Sequence, residues 1–234
     1  MESPDLKAWT TSRTVLLPDE ADFPELMLMP VFQRGNLFFG QLSHYDSSRG
    51  SNQIEIVFSS DGYAWHRVPP RERFVVQGPA GDFDADSIFV ASDPVVLADE
   101  MRFYYSGFEG DHEKLFPYYN ISIGVGSVPL DRMFGVVVST DRAPGALLTR
   151  VLRLPRGKLT VNAEVRGVFR VALLDATGKE LSGFGFDDCQ ALSGDSLRHR
   201  VAWKGGGDLD KVAGNPVRVK FHLEDSTFYA FTVQ

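Results

Sequence analysis

Ser59-Ser60-Asp61-Gly62-Tyr63-Ala64-Trp65 is the stretch that decides the fold, because it occurs twice. Ser3-Pro4-Asp5-Leu6-Lys7-Ala8-Trp9 repeats its Ser, Asp, Ala and Trp, 56 residues earlier. An aspartate at the head of a tight turn accepts hydrogen bonds from the amides that follow it. Gly62 supplies a positive φ at no steric cost. The Trp then packs back on the hairpin and pins it. The motif is therefore expected to be a structural staple and not a catalytic group.

A second repeat surrounds the first. Pro30-Val31-Phe32 followed by Leu37-Phe38-Phe39 matches Pro94-Val95-Val96 followed by Met101-Arg102-Phe103, at an offset of 64 residues. Each copy reads as a hairpin, with turns at Arg34-Gly35-Asn36 and Ala98-Asp99-Glu100. Units of 50–65 residues, each holding several strands, are the pattern of propeller blades.

Period-two alternation runs through the rest of the chain. Ile54, Ile56 and Phe58 alternate with Glu55 and Val57, and Ile121, Ile123 and Val125 with Ser122 and Gly124. Leu159, Val161, Ala163 and Val165 follow the same rule, as do Val217, Val219, Phe221 and Leu223. These segments are expected to be strands with one buried face. Only 209–214 suggests a helical turn, ending at Gly214. The fold class is all-β.

Charge divides the chain. Residues 1–143 hold 11 Lys and Arg against 21 Asp and Glu, and residues 144–234 hold 13 against 10. With the Pro144-Gly145 turn signal, this predicts two parts, 1–143, which holds the blade-like repeats, and 144–234. The 234 residues are 43% hydrophobic, enough for a real core. The net charge of −7 argues against nucleic acid as a partner. Apolar runs such as 134–138 are too short to span a bilayer, so no membrane role is expected. No signal peptide is visible at Met1-Glu2-Ser3-Pro4-Asp5, and the single Cys189 is compatible with the cytoplasm. One cysteine excludes an internal disulfide, and the five histidines share no metal-ligand spacing. No metal and no cofactor is expected.

With these motifs in view, residues 1–143 resemble the last blades of the five-bladed β-propeller glycosidases, the superfamily of invertase-like fructan hydrolases, arabinan hydrolases and mannoside phosphorylases. The matching residues are Gly81-Asp82-Phe83-Asp84, Ser92-Asp93-Pro94-Val95-Val96, Met101-Arg102-Phe103-Tyr104-Tyr105-Ser106-Gly107 and Ile121-Ser122-Ile123-Gly124-Val125. Residues 144–234 are similar to the β-sandwich that follows the ring in many such proteins, so the resemblance implies a partial β-propeller of about two blades over 1–143, the propeller-blade region, and a C-terminal β-sandwich over 144–234. The resemblance implies a carbohydrate partner and cleavage of a glycosidic bond by paired carboxylates. It also implies a departure: the chain reads as starting at the end of a blade, so the early blades and their usual carboxylates are missing. A non-catalytic carbohydrate-binding or interaction protein, or an inactive fragment, therefore stands as the alternative. The incomplete ring implies a homo-oligomer formed through exposed blade faces.

The remaining acids at the mouths of inner strands are Glu25, Asp84 and Asp86, and these are the candidate catalytic residues. Glycoside hydrolysis uses two carboxylates flanking the bond. The spacing of Asp82, Asp84 and Asp86 would turn all three the same way in an extended strand. Tyr105, Phe108, Glu109 and His112, with His44 at the equivalent place in the earlier blade, are the candidate substrate-binding residues, since rings stack on sugars and acceptors take their hydroxyls. Ser193-Gly194-Asp195-Ser196 with His199 holds the residue types of a hydrolytic triad, but without the Gly-x-Ser-x-Gly elbow it is read as a polar turn.

Overall fold

The computed structural model describes residues 1–22, 25–111, 120–204 and 207–234. They are all-β, with two sheets and a single 3-10 turn at Leu209–Lys211. Among the described residues no helix is long and apolar enough to cross a membrane. The chain forms two compact units, Met1–Leu97 with Met101–Ser127, and Ala98–Glu100 with Val128–Gln234.

The first unit holds β1 (Glu25–Leu26), β2 (Val31–Arg34), β3 (Leu37–Asp46), β4 (Ser51–Ser59), β5 (Trp65–Arg67), β6 (Ser87–Val90), β7 (Val95–Val96), β8 (Glu100–Glu109) and β9 (Asn120–Pro129). Strands β2 to β5 make an antiparallel meander. A second group follows, with β6, β7 and β9 each paired to β8. A single parallel bridge, Asn52 to Ser87, joins the two groups. The two expected hairpins are both present, β2 with β3 and β7 with β8.

Both copies of the staple close in the same way. Asp61 Oδ1 accepts from the amides of Tyr63 and Ala64 at 2.8 Å, and Asp5 Oδ1 accepts from those of Lys7 and Ala8 at 2.9 Å. Gly62 has φ 76° and the equivalent Leu6 has φ 60°, so the turn imposes the left-handed conformation even on a leucine. Trp65 donates from Nε1 to Gly62 O at 3.1 Å. Trp9 is exposed, and no strand pairs beside it among the described residues.

Strand β4 corrects the expectation of one buried face. Glu55 and Val57 are as buried as Ile54 and Ile56. The register shows why. Gln41, Ser43 and Tyr45 of β3 share a side with Ile56, Ile54 and Asn52 of β4, while Leu42 and His44 share the opposite side with Glu55 and Gln53. The first side packs toward β6, where Asn52 Nδ2 donates to Ile88 O at 2.8 Å and Gln41 Nε2 to Ala91 O at 2.8 Å. The second side carries the cluster described below.

The second unit holds β10 (Val136–Val138), β11 (Gly145–Leu148), β12 (Leu152–Arg153), β13 (Leu159–Asp175), β14 (Leu192–Arg200) and β15 (Pro216–Val233). β15 pairs with β10, β11, β12 and β13, and β14 pairs with the other edge of β13. Segment 136–138 belongs here because it pairs with 226–228, so this unit begins before the Pro144-Gly145 turn where the charge balance changes. The core is formed by alternate residues of the two long strands, including Leu159, Val161, Phe169, Val171, Val219 and Phe221. The segments 159–165 and 168–175 form one strand with an irregularity between Val165 and Val168. Residues 193–196 lie inside β14, with Gly194 at φ 83°, and not in a turn. Arg132 ties the first residues of the unit to this sheet: it donates to Asn162, Glu164 and Asp195, and its guanidinium lies 4.7 Å from the Tyr229 ring.

The tight backbone approach in β8 makes a prediction. A Cβ at Gly107 would lie 2.5 Å from Asp84 Cβ and 2.7 Å from the Phe83 ring, whereas a Cβ at Gly126 meets nothing within 4 Å. Overpacking of this kind costs about 1–3 kcal/mol. Gly107→Ala is expected to lower first-unit stability by that amount, and Gly126→Ala to leave it within about 0.5 kcal/mol, as read by urea unfolding followed through hydrogen exchange of the β8 amides.

Candidate functional site

The side of β3 and β4 that carries Leu42 and Glu55 brings together residues from four places in the sequence. Leu42 is fully apolar, but His44 and Glu55 follow on the same side, and Arg67 enters from β5 opposite Val57. Asp22 reaches in from the loop before β1. Asp22 and Glu55 side chains are only 2% and 7% exposed, and Arg67 10%. Carboxylates buried to that degree persist only if paired.

Arg67 does the pairing. Its Nε donates to Glu55 Oε1 at 3.0 Å, one terminal amino group also bonds Glu55 Oε2, and the other donates to Asp22 Oδ2 at 2.5 Å. The planar fork meets the Glu55 carboxylate side-on, a geometry that lysine cannot reproduce. His44 Nε2 lies 2.9 Å from Glu55 Oε2 and 3.2 Å from Arg67, and His44 Nδ1 lies 3.6 Å from Asp22 Oδ1. Arg71 forms an outer layer, donating to both oxygens of Asp19 at 2.8 and 2.5 Å and standing 3.7 Å from Asp22.

Burial alone would raise the pKa of Glu55, but hydrogen bonds from His44 and Arg67 outweigh it, and the group lies below the ordinary value. Asp22 behaves alike: burial works upward, while Arg67 and the Asp19 amide hold the carboxyl down. Glu55 raises the Arg67 pKa further. Both carboxylates are thus ionised at neutral pH, and neither serves as a proton donor there.

Ligand atoms of Asp22, His44 and Glu55 lie within 4.8 Å of one another, close enough for a divalent cation. The Arg67 guanidinium already bonds both carboxylates and adjoins His44 Nε2, so a cation would have to displace a fixed positive charge. The donor set fits an arginine better than a metal. Beside it opens a pocket of about 210 Å³, lined by His44, Gln53, Glu55, Arg67, Arg71 and Arg73 among others.

The candidate catalytic acids lie elsewhere. Glu25 is opposite Tyr45, on the other side of β3 from His44. Residues 82–86 are not extended, because Asp82 N bonds Pro79 O and Ala85 N bonds Asp82 O. The three aspartates therefore do not share a side. Asp82 is exposed, Asp84 is buried and Asp86 is half-buried. Asp84 Oδ2 accepts from Tyr105 OH at 2.7 Å, and Asp86 Oδ2 accepts from Gly110 N at 2.5 Å. Among the described residues no hydrogen bond or ion pair links Glu25 with Asp84 or Asp86.

The candidate sugar-binding residues are also dispersed. Tyr105 turns inward against Ile54, Val75 and Ile88, where burial and then Asp84 push its pKa up to about 12. Phe108 packs edge-on against Phe89 at 5.4 Å. Glu109 is half-buried at the end of β8, and His112 lies outside the described residues. Of the described residues of this set, only His44 joins the pocket. Its partners Asp22, Glu55 and Arg67, and Arg71 of the outer layer, carry no local motif that singles them out. The available signal was Glu55 itself, a charge within the otherwise apolar run from Ile54 to Phe58.

No protein-family model matches the sequence, and no curated protein matches it. Among solved structures, sucrose-6-phosphate hydrolase from Lactobacillus gasseri is similar over 93% of this chain and 68% of its own, at 9% identity and a TM-score of 0.27. A likeness of that degree fixes neither fold nor chemistry.

Removing Arg67 strands two buried carboxylates, a loss that typically costs about 3–5 kcal/mol. Arg67→Met is expected to destabilise the first unit by that order. Because both carboxylates are depressed in the folded state, their stabilisation is complete above the unfolded value near 4, and is lost as pH falls from about 5 through the folded values. Urea titrations between pH 7 and pH 3 are expected to show this loss in the parent and a shallower loss in Glu55→Gln.

Proposed function

We propose that this chain is a carbohydrate-active protein whose first unit is built from two propeller-type blades and whose second is a β-sandwich, and that the His44 pocket binds a sugar. The blade reading is supported by the duplicated staple and by the two strand groups joined through one bridge. The observation that carries the binding reading is the set of fixed donors and acceptors, His44, Glu55, Arg67 and Arg71, around a pocket of about 210 Å³. Few-atom polar ligands are oriented by such convergent groups, and drug-sized sites run larger, about 300–1,000 Å³. A single sugar ring suits this volume.

Binding is favoured over hydrolysis for a chemical reason. Cleavage by paired carboxylates needs a protonated acid beside an ionised partner. Glu55 and Asp22 are both held ionised by Arg67, and Asp84 and Asp86 are committed to Tyr105 and Gly110. The hydrolytic form of the reading rests on Glu25 with Asp84 or Asp86. Association of copies through blade faces belongs to the same reading, with Ile121, Ile123 and Val125 exposed along β9.

Calorimetric titration with a panel of mono- and oligosaccharides, run beside turnover assays on aryl-glycosides, tests this. At least one sugar is expected to bind, with Arg71→Ala and His44→Ala weakening it tenfold or more and Glu25→Gln leaving it unchanged. Turnover that falls 10²–10⁴-fold in Asp84→Asn or Glu25→Gln, with His44→Ala near the parent, would move the function to the carboxylate pair. Absence of any binding or turnover across the panel would remove the carbohydrate reading of the first unit.

A further inference from the structure

The outer face of the second sheet carries an unbalanced row of cations. Along β15, Val217, Val219, Phe221 and Leu223 point to the core. Arg218, Lys220 and His222 must then face the other way, about 7 Å apart along the strand. The neighbouring strands add to the row. Arg170 of β13 lies opposite His222, and Leu148 of β11 lies opposite Lys220, with Arg150 two residues further along the chain. His222 is matched by Glu224 at 2.7 Å. Arg150, Arg170, Arg218 and Lys220 form no ion pair among the described residues.

Two other arginines that pack on this sheet are ion-paired. Arg132 is tied to Glu164 and Asp195, and Arg198 to Asp99. On the outer face the Nε of Arg170 and of Arg218 are buried with no hydrogen-bond acceptor. Buried donors in native proteins are nearly always satisfied, so each orphan asks for an explanation. Acceptor oxygens supplied from outside the chain, to which the two guanidinium groups could turn, would provide it. Apolar surface flanks the row. Leu148 is half exposed, and the Phe186 ring lies 5.4 Å from Lys220 Nζ and 5.8 Å from the His222 ring.

We propose that this face binds an acidic polysaccharide, a chain of uronic-acid residues, as a second carbohydrate site separate from the His44 pocket. The proposal extends the carbohydrate reading made above. A uronate chain offers one carboxylate per sugar for the arginines and lysine, and an apolar ring face for Leu148 and Phe186. A repeating polyanion fits a row of spaced cations better than a single small anion does. Nucleic acid is the less favourable polyanion, because the whole chain carries −7 and would repel its denser charge.

Affinity electrophoresis and calorimetry of the full chain against polygalacturonate, neutral galactan and single-stranded DNA test the proposal. Polygalacturonate is expected to bind, more weakly as salt rises, and galactan not to bind at this face. Arg218→Gln with Lys220→Gln is expected to weaken polygalacturonate binding at least tenfold, while Arg166→Gln, at an exposed position, leaves it unchanged. If the double variant fails to fold, Lys220→Met retains the apolar stem and is expected to weaken binding about threefold. No polygalacturonate binding at low salt, parental binding in the folded charge variants, or DNA binding of equal strength would each overturn the proposal. His44→Ala separates the two sites. A loss of polygalacturonate binding in that variant would place the ligand in the pocket and overturn the second site, while a blank sugar panel with intact polygalacturonate binding would remove only the pocket reading.

Discussion

The Arg67 guanidinium holding Glu55 and Asp22 is the interaction on which one side of the β3–β5 meander depends. Two nearly buried carboxylates cannot coexist without a matched cation, and one planar fork serves both. That pairing draws the loop before β1 onto the meander, because Asp22 is otherwise remote in sequence from Glu55. It also fixes what the site can do. Carboxylates held ionised can accept hydrogen bonds and orient a ligand, but they cannot deliver a proton at neutral pH. With His44 and Arg71 beside them, they form one set of hydrogen-bond donors and acceptors on this side of the meander.

The two units solve their packing differently. The second has one extensive core, supplied mainly by the long strands β13 and β15, in which Phe169, Phe221 and Phe228 gather within 4.7 to 6.1 Å of one another. On the other side of the same strands Arg170, Arg218 and Lys220 stand beside buried Ala172 and Leu174. The first unit distributes its buried residues on both sides of β3 and β4, so polar groups are buried with the apolar ones. Gln41, Ser43, Asn52 and Glu55 are all nearly inaccessible. Buried polar groups require partners, and Gln41 and Asn52 find theirs across the two strand groups, at Ala91 O and Ile88 O, beside the apolar contact of Ile54 with Ile88.

Elements governed by local rules were legible in the sequence. The all-β class, both hairpins, the paired staples and the alternation of the second unit follow from turn chemistry and period two. The site was mostly illegible, for an identifiable reason. Alternation across Ile54, Glu55, Ile56 and Val57 suggests a solvated face for Glu55, yet Val57 on that same face is fully buried. A half-buried strand and a strand buried on both sides differ only in what covers them, and the cover comes from residues far away in the chain. The spacing of Asp82, Asp84 and Asp86 failed for the converse reason: it assumed an extended strand where backbone hydrogen bonds at Pro79 and Asp82 close turns. His44 was found through its place in the repeat, but the arginine that gives it a role lies 23 residues on, in another strand.

In the function proposed above, a sugar meets this chain at the Arg67-held cluster. Nuclear magnetic resonance of the His44 imidazole and the Arg67 Nε–H, followed during titration with a bound sugar, tests it most directly. The account predicts that both signals shift saturably and with the same dissociation constant, while those of His66 and His199 stay fixed. Saturable shifts confined to Tyr105 and the 82–86 turn, with His44 and Arg67 unmoved, would contradict it.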